Sequence, residues 1–294
     1  MIGVEAARRR FAHELRDRLG LRTPGLHDAL ASVPREFFLG PGPWLVFKVP
    51  EGYTSTPDAD PVRVCQDVAV GLDPLRLVNN GMPSLVAGLI EGLDIGPGAR
   101  VAHIGCATGY YSAILAEIVG SEGHVTAYEI SPELAARATR NLGGWKQVRV
   151  VQGDAARLVL PEVDAILVSA GATHPRANWL DALRPEGRLM VPLTGVRAPG
   201  GASRFGRNLA GRVLRLRRGG QGFEASFLER IGLSPLLGGR DLAHERLLAE
   251  ALGRSGGDEV RSMRLDSHDR GSACWLHAPD FCLSRRPPGT IGGA

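Results

Sequence analysis

The sequence predicts an α/β fold with a mostly parallel sheet, and two observations lead to that fold class. From Arg100 to about Arg197, apolar runs with strand character alternate with helical patterns, as in chains built from βαβ units. Within this region, VDAILVSAGA is a continuous apolar run, which is typical of a strand buried on both faces of a parallel sheet. We therefore expect strands and helices to alternate through the middle of the chain.

The regions on either side have patterns of their own. Residues 5–20 repeat charged and apolar residues with the period of an amphipathic helix, and the Pro-Gly pair at 24–25 predicts a turn before a short second helix. WLVFKV and VRVCQDVAVGL predict short strands. After residue 239, DLAHERLLAEAL predicts a helix, and VRSMRLDSH and SACWLHAPDFCLS predict two strands.

The composition is that of an ordinary globular protein. The chain has 294 residues, of which 44% are hydrophobic and 22% charged, and its formal net charge is +4. That charge is too small to indicate a nucleic-acid partner, and we interpret the arginine-rich stretch RVLRLRRGG as a strand with one solvated basic face. No apolar run approaches the length of a membrane span. We expect a monomer that binds neither nucleic acid nor a membrane.

The four cysteines, Cys65, Cys106, Cys274 and Cys282, are far apart in the sequence. No C-x-x-C pair occurs, and paired spacing is usual for zinc ligands, so the sequence predicts no metal site. Unpaired cysteines are expected in a reducing cytoplasm, and the arginines near the N-terminus are not followed by the apolar core of a signal peptide. We therefore expect a cytoplasmic protein.

One segment near the start of the predicted parallel sheet has the pattern of a ligand-binding turn. VAHIGCATGYYS (residues 101–112) reads as an apolar strand, a turn of small residues from Gly105 to Gly109, and the start of a helix. A turn without bulky side chains lets backbone N–H groups and a helix N-terminus approach a ligand. Two glycines alone can serve packing only, but this position is typical of nucleotide binding in open α/β sheets.

An acidic residue follows the turn at an informative distance. The next apolar run, HVTAYEI, contains Glu129, which lies 24 residues after Gly105. In nucleotide-binding βαβ units, an acid about 20 residues beyond the glycine turn binds the ribose hydroxyls. An isolated glutamate at a strand end would be interpreted as solvated, but the turn upstream favours the ribose-binding interpretation of Glu129.

The glycine spacing within the turn indicates whether the ligand is a dinucleotide or a nucleoside without phosphates. A dinucleotide fingerprint needs glycines at the first, third and sixth positions, where this chain has Gly105, Ala107 and Tyr110. The observed G-x-x-x-G spacing instead suits a ligand without phosphates, such as S-adenosylmethionine. The third strand pattern, VRVVQGDA, leads to Asp154, which either accepts a hydrogen bond from the adenine amino group or caps the following helix.

Together these segments resemble class I methyltransferases, and specifically the protein-L-isoaspartate O-methyltransferase family. The resemblance extends in consistent order over roughly residues 10 to 240. It rests on the glycine turn with its helix and on five further segments: LHDALASVPREFFLGP, HVTAYEISPELAARATRNL, VRVVQGDA, VDAILVSAGATHPRANWLDALRPEGRLMVPL and GFEASFLERIGLSPLLGG.

The resemblance implies a doubly wound, mostly parallel, seven-stranded sheet of the Rossmann-like methyltransferase type, with N-terminal helices and a small C-terminal α+β extension. It divides the chain into an N-terminal helical and substrate-facing region (1–80), an S-adenosylmethionine-binding domain (81–240) and an extension (241–294). The implied cofactor is S-adenosylmethionine. Its implied binding residues are Met82, His103, Gly105, Cys106, Ala107, Gly109, Glu129, Ile130, Asp154, Ala155 and Ser169.

The chain departs from the family pattern at three places. His103 stands where the first motif usually has an acid, and Ala107 stands where it usually has a glycine. The family's hydroxyl-rich substrate loop is replaced by LVNNGMPS, so we expect the substrate carboxylate to be held differently. Its donors would be Asn79, Asn80 and Ser84, although Asn-Asn-Gly is equally consistent with an ordinary turn.

These observations favour an S-adenosylmethionine-dependent carboxyl O-methyltransferase that acts on an aspartyl or isoaspartyl carboxylate of a protein or peptide. A carboxylate, with a reference pKa of about 4, is ionised at neutral pH and needs no general base. Its methyl ester has a good leaving group, so a neighbouring backbone nitrogen could then close a succinimide. Two alternatives stay open: a tailoring methyltransferase of a dedicated precursor peptide or small-molecule natural product, and a non-catalytic binding module with a methyltransferase fold.

Overall fold

The computed structural model describes residues 3–48, 52–73, 78–196, 209–232 and 240–289. The chain forms two compact units, residues 1–155 and residues 156–294. The predicted division into 1–80, 81–240 and 241–294 stays a prediction. None of the helices in the described ranges combines the length and the apolar character that crossing a bilayer requires.

The first unit begins with three helices, α1 (Val4–Leu19), α2 (Leu26–Ser32) and α3 (Arg35–Leu39). The predicted amphipathic helix is α1, which buries Ala7, Ala12 and Leu15 on one face. It ends at Gly20, whose φ of 64° is the left-handed conformation that glycine adopts without steric cost.

A small antiparallel sheet follows, with strand order β2-β1-β3-β4. Its strands are β1 (Leu45–Lys48), β2 (Gly52–Ser55), β3 (Ala69–Asp73) and β4 (Val78–Asn79). The predicted strand in VRVCQDVAVGL forms only in its second half, because residues Pro61–Val64 form a 3-10 helix that the Asp60 side chain caps through the Val62 N–H. A buried cluster supports this sheet and consists of Leu39, Trp44, Val46, Val64 and Val70.

The rest of the first unit is the predicted βαβ alternation. After α4 (Pro83–Leu93) come β5 (Arg100–Ile104), α5 (Tyr110–Val119), β6 (His124–Glu129), α6 (Pro132–Asn141) and β7 (Val148–Gln152). β6 pairs in parallel with both β5 and β7. Nine residues of α5 are buried, which is the pattern expected of a helix enclosed between a sheet and other helices.

The second unit contains a mixed sheet. It is built from β8 (Val163–Val168), α7 (Ala177–Ala182), β9 (Leu183–Val196), β10 (Leu209–Gly219), β11 (Gly222–Gly232), α8 (Leu242–Arg254), β12 (Ser262–Arg264), β13 (Cys274–His277) and β14 (Cys282–Ser284). Within this unit the strand order is β13-β14-β12-β11-β10-β9-β8, and only β8 and β9 are parallel among these pairs.

The α/β fold class is confirmed, and the C-terminal part differs from the sequence expectation in one respect. The stretch SACWLHAPDFCLS forms two strands, β13 and β14, rather than one, because a turn at Pro279-Asp280 interrupts it. The extension therefore adds three short strands next to β11, to which β12 pairs antiparallel.

The buried Arg35 joins the N-terminal helices of the first unit to the segments that flank its small sheet. Arg35 is 3% exposed, and its guanidinium lies 5.9 Å from the ring centroid of Tyr110. Its five N–H donors make five hydrogen bonds, all to uncharged oxygens: Asn80 Oδ1 at 2.8 Å and the carbonyl oxygens of Val64, Gln66, Val68 and Gly81 at 3.3, 3.2, 2.8 and 2.9 Å. Because guanidinium has five donors, no hydrogen-bonding capacity is left over.

Replacing Arg35 should therefore destabilise the protein strongly. We expect Arg35→Met to lower the free energy of unfolding by about 3 kcal/mol or more, because buried acceptors would lose their donors. The stability of Arg35→Lys should lie between that of Arg35→Met and that of the unchanged protein, since an ammonium group cannot reproduce the planar set of five guanidinium donors. Chemical denaturation measures both. Arg10→Ala, which removes an arginine side chain that is 63% exposed, is the control and should change stability by no more than about 0.5 kcal/mol.

Candidate active site

The carboxyl ends of β5, β6 and β7 bring three predicted site segments together. The Gly105 N–H donates to the Tyr128 carbonyl oxygen at 2.9 Å, and the Gly153 N–H donates to the Glu129 carbonyl oxygen at the same distance. These bonds extend the parallel ladder past the strand ends. The glycine turn, Glu129 and Asp154 consequently lie along one edge of the sheet, where open α/β sheets bind ligands.

The glycine turn depends on left-handed backbone conformations. Gly105, Ala107 and Gly109 have φ values of 78°, 50° and 98°, and the Gly109 N–H closes the turn on the Cys106 carbonyl oxygen at 2.9 Å. A Cβ atom on Gly109 would lie 2.7 Å from Leu142 Cδ1. Ala107 adopts a conformation that glycine would adopt at lower cost, which gives a physical reason for the usual glycine at this position.

Glu129 points toward the turn rather than into bulk solvent. It is 7% exposed, its Oε2 accepts a hydrogen bond from the Ala107 N–H at 2.8 Å, and its Oε1 accepts one from the Ser131 N–H at 3.0 Å. Burial raises the pKa of the Glu129 carboxyl, and the backbone donors Ser131 and Ala107 oppose that rise. Since each carboxylate oxygen has a second lone pair, both can still accept from a diol.

His103 is enclosed by the fold. Its side chain is 1% exposed, and its Nδ1 lies 2.8 Å from the Ser112 hydroxyl oxygen, so the imidazole joins β5 to α5. Burial lowers the pKa of His103 to about 3, so the ring is neutral at physiological pH. The side chain of His103 thus contacts the helix that follows the turn, and its predicted contact with the cofactor stays a prediction.

Two buried polar groups near the turn lack partners. Thr108 Oγ1 and Tyr111 Oη have no hydrogen-bond partner within the described ranges, although both are buried. Buried polar atoms in native proteins are normally paired, so such groups indicate a missing ligand or water. An ideal Cβ atom on Gly81 would lie 3.8 Å from Tyr111 Oη, which places the predicted substrate loop beside the start of α5. Sequence reasoning missed both groups, because neither belongs to a spacing motif.

The side-chain oxygens of the Asn-Asn-Gly segment hold the loop itself. Asn79 Oδ1 accepts from the Gly81 N–H at 2.8 Å, and Gly81 has a φ of 70°. Asn80 is 5% exposed and accepts from Arg35 Nε. Any donation to a substrate from these two asparagines would have to come from their amide nitrogens.

The N-terminus of α4 already binds a carboxylate of the chain itself. Met82 is the N-cap residue and Pro83 the first helical residue, and the Ser84 N–H donates to Asp67 Oδ1 at 2.8 Å. Asp67 Oδ2 in turn accepts from Arg18 at 2.6 Å. The Ser84 backbone N–H is therefore occupied, and only the hydroxyl group of Ser84 remains a candidate donor to a substrate.

The remaining predicted residues are placed as follows. Asp154 and Ala155 follow β7; Asp154 is half-buried and Ala155 is buried. Ile130 is half-buried directly after β6, and its carbonyl oxygen accepts from Gln152 Nε2 at 3.2 Å. Ser169 belongs to the second unit, where it is half-buried one residue beyond β8.

We expect Gly109→Ala to destabilise the turn, because alanine is strained at a φ of 98° and its Cβ would press on the buried Leu142. The loss in the free energy of unfolding should be about 1–3 kcal/mol. Denaturation of the variant measures it. Gly144→Ala is the matched control, since a Cβ there would meet nothing within 4 Å, and its stability should stay within about 0.5 kcal/mol. Equal effects of the two substitutions would contradict this account of the turn.

Acid should destabilise the protein through His103. The folded state holds the pKa of His103 at about 3, whereas an unfolded histidine titrates near 6.5. Its contribution to stability is therefore present above pH 6.5 and is lost as the pH falls toward 3. When the pH is lowered from 7.5 to 5.5, the free energy of unfolding of the unchanged protein should fall by about 1.4 kcal/mol more than that of His103→Asn. Denaturation at both pH values measures this difference, and an NMR titration showing His103 protonated at pH 5.5 would refute it.

Two comparisons with known proteins, by family model and by sequence identity, point to the same family. The model of the family "Protein-L-isoaspartate(D-aspartate) O-methyltransferase (PCMT)" matches residues 7–205. Protein-L-isoaspartate O-methyltransferase 2 of Archaeoglobus fulgidus is 32% identical over 193 residues, which cover 63% of this chain and 78% of that protein. The described residues 209–232 and 240–289 lie beyond the matched range.

Solved structures show the same fold. A protein-L-isoaspartate O-methyltransferase aligns with a TM-score of 0.58 at 21% identity, over 88% of this chain and 72% of that one. A second structure, of a putative protein-L-isoaspartate O-methyltransferase from Plasmodium falciparum in complex with S-adenosyl-L-homocysteine, aligns with a TM-score of 0.57 at 16% identity. The alignment covers 78% of this chain and 97% of that one. The predicted resemblance is thus confirmed, and with the family model matching more than half of its length the chain belongs to the protein-L-isoaspartate(D-aspartate) O-methyltransferase family.

Proposed function

We propose that this methyltransferase uses S-adenosylmethionine to methylate an aspartyl or isoaspartyl carboxylate of a protein or peptide. The observation that carries the proposal is the carboxylate of Glu129, buried at the end of β6 and 2.8 Å from the backbone nitrogen of Ala107 in the glycine turn. An acid in this position can bind both hydroxyl groups of a ribose.

The residues around the turn fit such a cofactor. We assign the ribose to Glu129 and the adenine to Asp154 and Ala155, with Ile130 packing beside them. Gly105, Cys106, Ala107 and Gly109 form the turn, whose small side chains leave the backbone accessible. Thr108 supports the fit, because its buried hydroxyl lacks a partner within the described ranges. Met82 and Ser169 are assigned by family resemblance, and His103 acts by fixing β5 to α5.

When bound, S-adenosylmethionine supplies a methyl group already activated by the sulfonium, so the chain's own residues need only position the acceptor and exclude water. A carboxylate acceptor is ionised at neutral pH and needs no general base. Alignment of the reacting atoms and removal of solvent from the carboxylate then supply most of the acceleration.

The loop from Asn79 to Ser84 is the assigned acceptor site. The buried positive charge of Arg35, bonded to Asn80 Oδ1 and to the Gly81 carbonyl oxygen, favours an anion next to this loop. We assign hydrogen-bond donation to the amide nitrogens of Asn79 and Asn80 and to the Ser84 hydroxyl. A single anionic acceptor would be held by uncharged donors backed by one buried cation.

The cofactor assignment predicts a weaker complex when the Glu129 carboxylate is changed. Glu129→Gln should weaken binding of S-adenosylhomocysteine at least tenfold by calorimetry, because an amide offers one acceptor oxygen in place of two. Glu133→Gln, an exposed acid in the first turn of α6, is the matched control and should bind like the unchanged protein. Thermal denaturation of both variants without ligand confirms that folding is retained.

Methyl transfer is tested with an isoaspartyl peptide and isotopically labelled S-adenosylmethionine. Ester formation on the peptide, detected by mass spectrometry, is the expected result. A folded protein that fails to bind S-adenosylhomocysteine would overturn the proposal in favour of the non-catalytic binding module. Binding of S-adenosylhomocysteine without any ester would reject general isoaspartyl methylation and leave the tailoring function.

The tailoring function has one observation of its own in its favour. The second unit carries a groove of about 540 Å³ whose lining includes Arg188, Arg215, Arg217 and Arg261. Arg217 forms ion pairs with Glu186 and Glu224. Four arginines and one glutamate line the groove, so its net charge is positive. Such a groove suits an acidic segment of a dedicated precursor peptide. We keep this as the second candidate, and place either enzyme in the cytoplasm as a monomer.

A further inference from the structure

Four potential metal ligands meet at the C-terminal hairpin of the second unit. His268 lies in the loop between β12 and β13, Cys274 and His277 are the ends of β13, and Cys282 begins β14. One ligand atom from each of the four lies within 4.8 Å of all the others. The four residues come from one loop and two strands within residues 268–282, and the fold of this stretch gathers two thiols and two imidazoles at one point.

An irregularity in the hairpin puts these side chains on one side. Residues three apart in a regular strand point to opposite faces, so Cys274 and His277 would normally diverge. The register between β13 and β14 shifts between Cys274 and Leu276, and this bulge adds the residue that turns both toward the same side. His277 pairs directly with Cys282, which brings the third ligand alongside.

The backbone orients His268 as a ligand. Its Nδ1 lies 2.9 Å from the carbonyl oxygen of Asp266, which can only accept, so Nδ1 carries the hydrogen and Nε2 carries the lone pair. Nε2 lies 3.6 Å from the sulfur of Cys274. Tetrahedral zinc with the usual Zn–N and Zn–S bond lengths separates nitrogen and sulfur by about 3.6 Å. A carbonyl that fixes the tautomer of a ligating histidine is typical of metal sites.

Two further features indicate an occupant. His277 Nδ1 is buried and has no hydrogen-bond partner in the part of the chain that the structure describes. The Gly271 N–H points at the Cys274 sulfur at 3.4 Å, an arrangement that stabilises a thiolate. A buried imidazole nitrogen without a partner is costly, and coordination to a cation is one way to satisfy it.

Hydrogen bonds occupy the ligand atoms of a second histidine cluster. His174 and His244 stack at 4.0 Å with Asp280 close by. Both nitrogens of His174 are engaged, by Thr173 Oγ1 and by the guanidinium of Arg176, each at 2.9 Å. Both nitrogens of His244 contact carboxylates, Asp241 and Asp280. Hydrogen bonds explain this cluster fully, so it needs no ion.

We propose that His268, Cys274, His277 and Cys282 bind one Zn²⁺ ion in a tetrahedral Cys₂His₂ site. Two thiols release their protons to solvent as they coordinate, so the two thiolates balance the charge of the ion. Four protein ligands leave no open position, which makes the site structural rather than catalytic. The ion fastens the loop after β12 to the hairpin of β13 and β14, in a region beyond the range that the family model matches.

Metal analysis of the full-length protein tests this directly. Protein expressed with added zinc and dialysed against metal-free buffer should retain one zinc per chain by elemental mass spectrometry. Cys282→Ser and His277→Ala should each lose most of that zinc. Cys65→Ser, which alters a thiol outside the cluster, is the matched control and should retain the full content.

Cobalt distinguishes the proposed geometry from adventitious binding. Replacement of zinc by Co²⁺ should give the intense ligand-field bands of a tetrahedral ion together with a thiolate charge-transfer band. The ligand-field bands should be weaker in His277→Ala. Removal of zinc by a chelator should lower the melting temperature of the unchanged protein, and Zn²⁺ should restore it. Absence of zinc from the folded protein, equal zinc in the variants, or a Cys274–Cys282 disulfide found by mass spectrometry in its place would overturn the proposal.

Discussion

The organisation of the first unit depends on the hydrogen bonds that the guanidinium group of Arg35 donates. It donates five hydrogen bonds from a position that is 3% exposed, and its partners come from the segment before β3 and from the loop before α4. No single carboxylate could tie these separate stretches together, whereas a planar fork with five donors can. The Asn79–Ser84 loop consequently has a fixed shape before any substrate arrives.

The same loop lies next to the glycine turn through Gly81 and Tyr111. On the other side of the turn, Glu129 is fixed by two backbone N–H groups. The assigned cofactor and acceptor sites are thus both built on rigid elements, which is what a reaction that relies on alignment requires. The hydroxyl groups of Thr108 and Tyr111 are buried near the turn and have no hydrogen-bond partner among the described residues.

The C-terminal strands β12, β13 and β14 carry the proposed zinc site. They extend beyond the family match, and a bound ion would add stability to these short strands by fastening them to the loop that contains His268. The arginine-lined groove of the same unit shares Arg261, which precedes β12. A stiffened hairpin would therefore also hold part of that groove in place.

The sequence by itself determined the α/β class, the glycine turn and Glu129, because these depend on local rules: apolar periodicity, the conformational freedom of glycine, and a fixed chain length between adjacent parallel strands. It did not show the role of Arg35, although the residue stands in a recognised VPRE segment, since its five acceptors are distant in the chain. Nor did it show that Asp67 occupies the N–H of Ser84.

The expectation that the cysteines form no metal site came from spacing alone, whereas the proposed zinc site rests on the tertiary structure. Cys274, His277 and Cys282 match no paired-ligand pattern, and regular strand geometry would separate the first two. A one-residue shift of register and a loop histidine bring four ligand atoms together. Local sequence rules describe what one element does, whereas clusters of this kind arise from the packing of several elements, which only the folded chain decides.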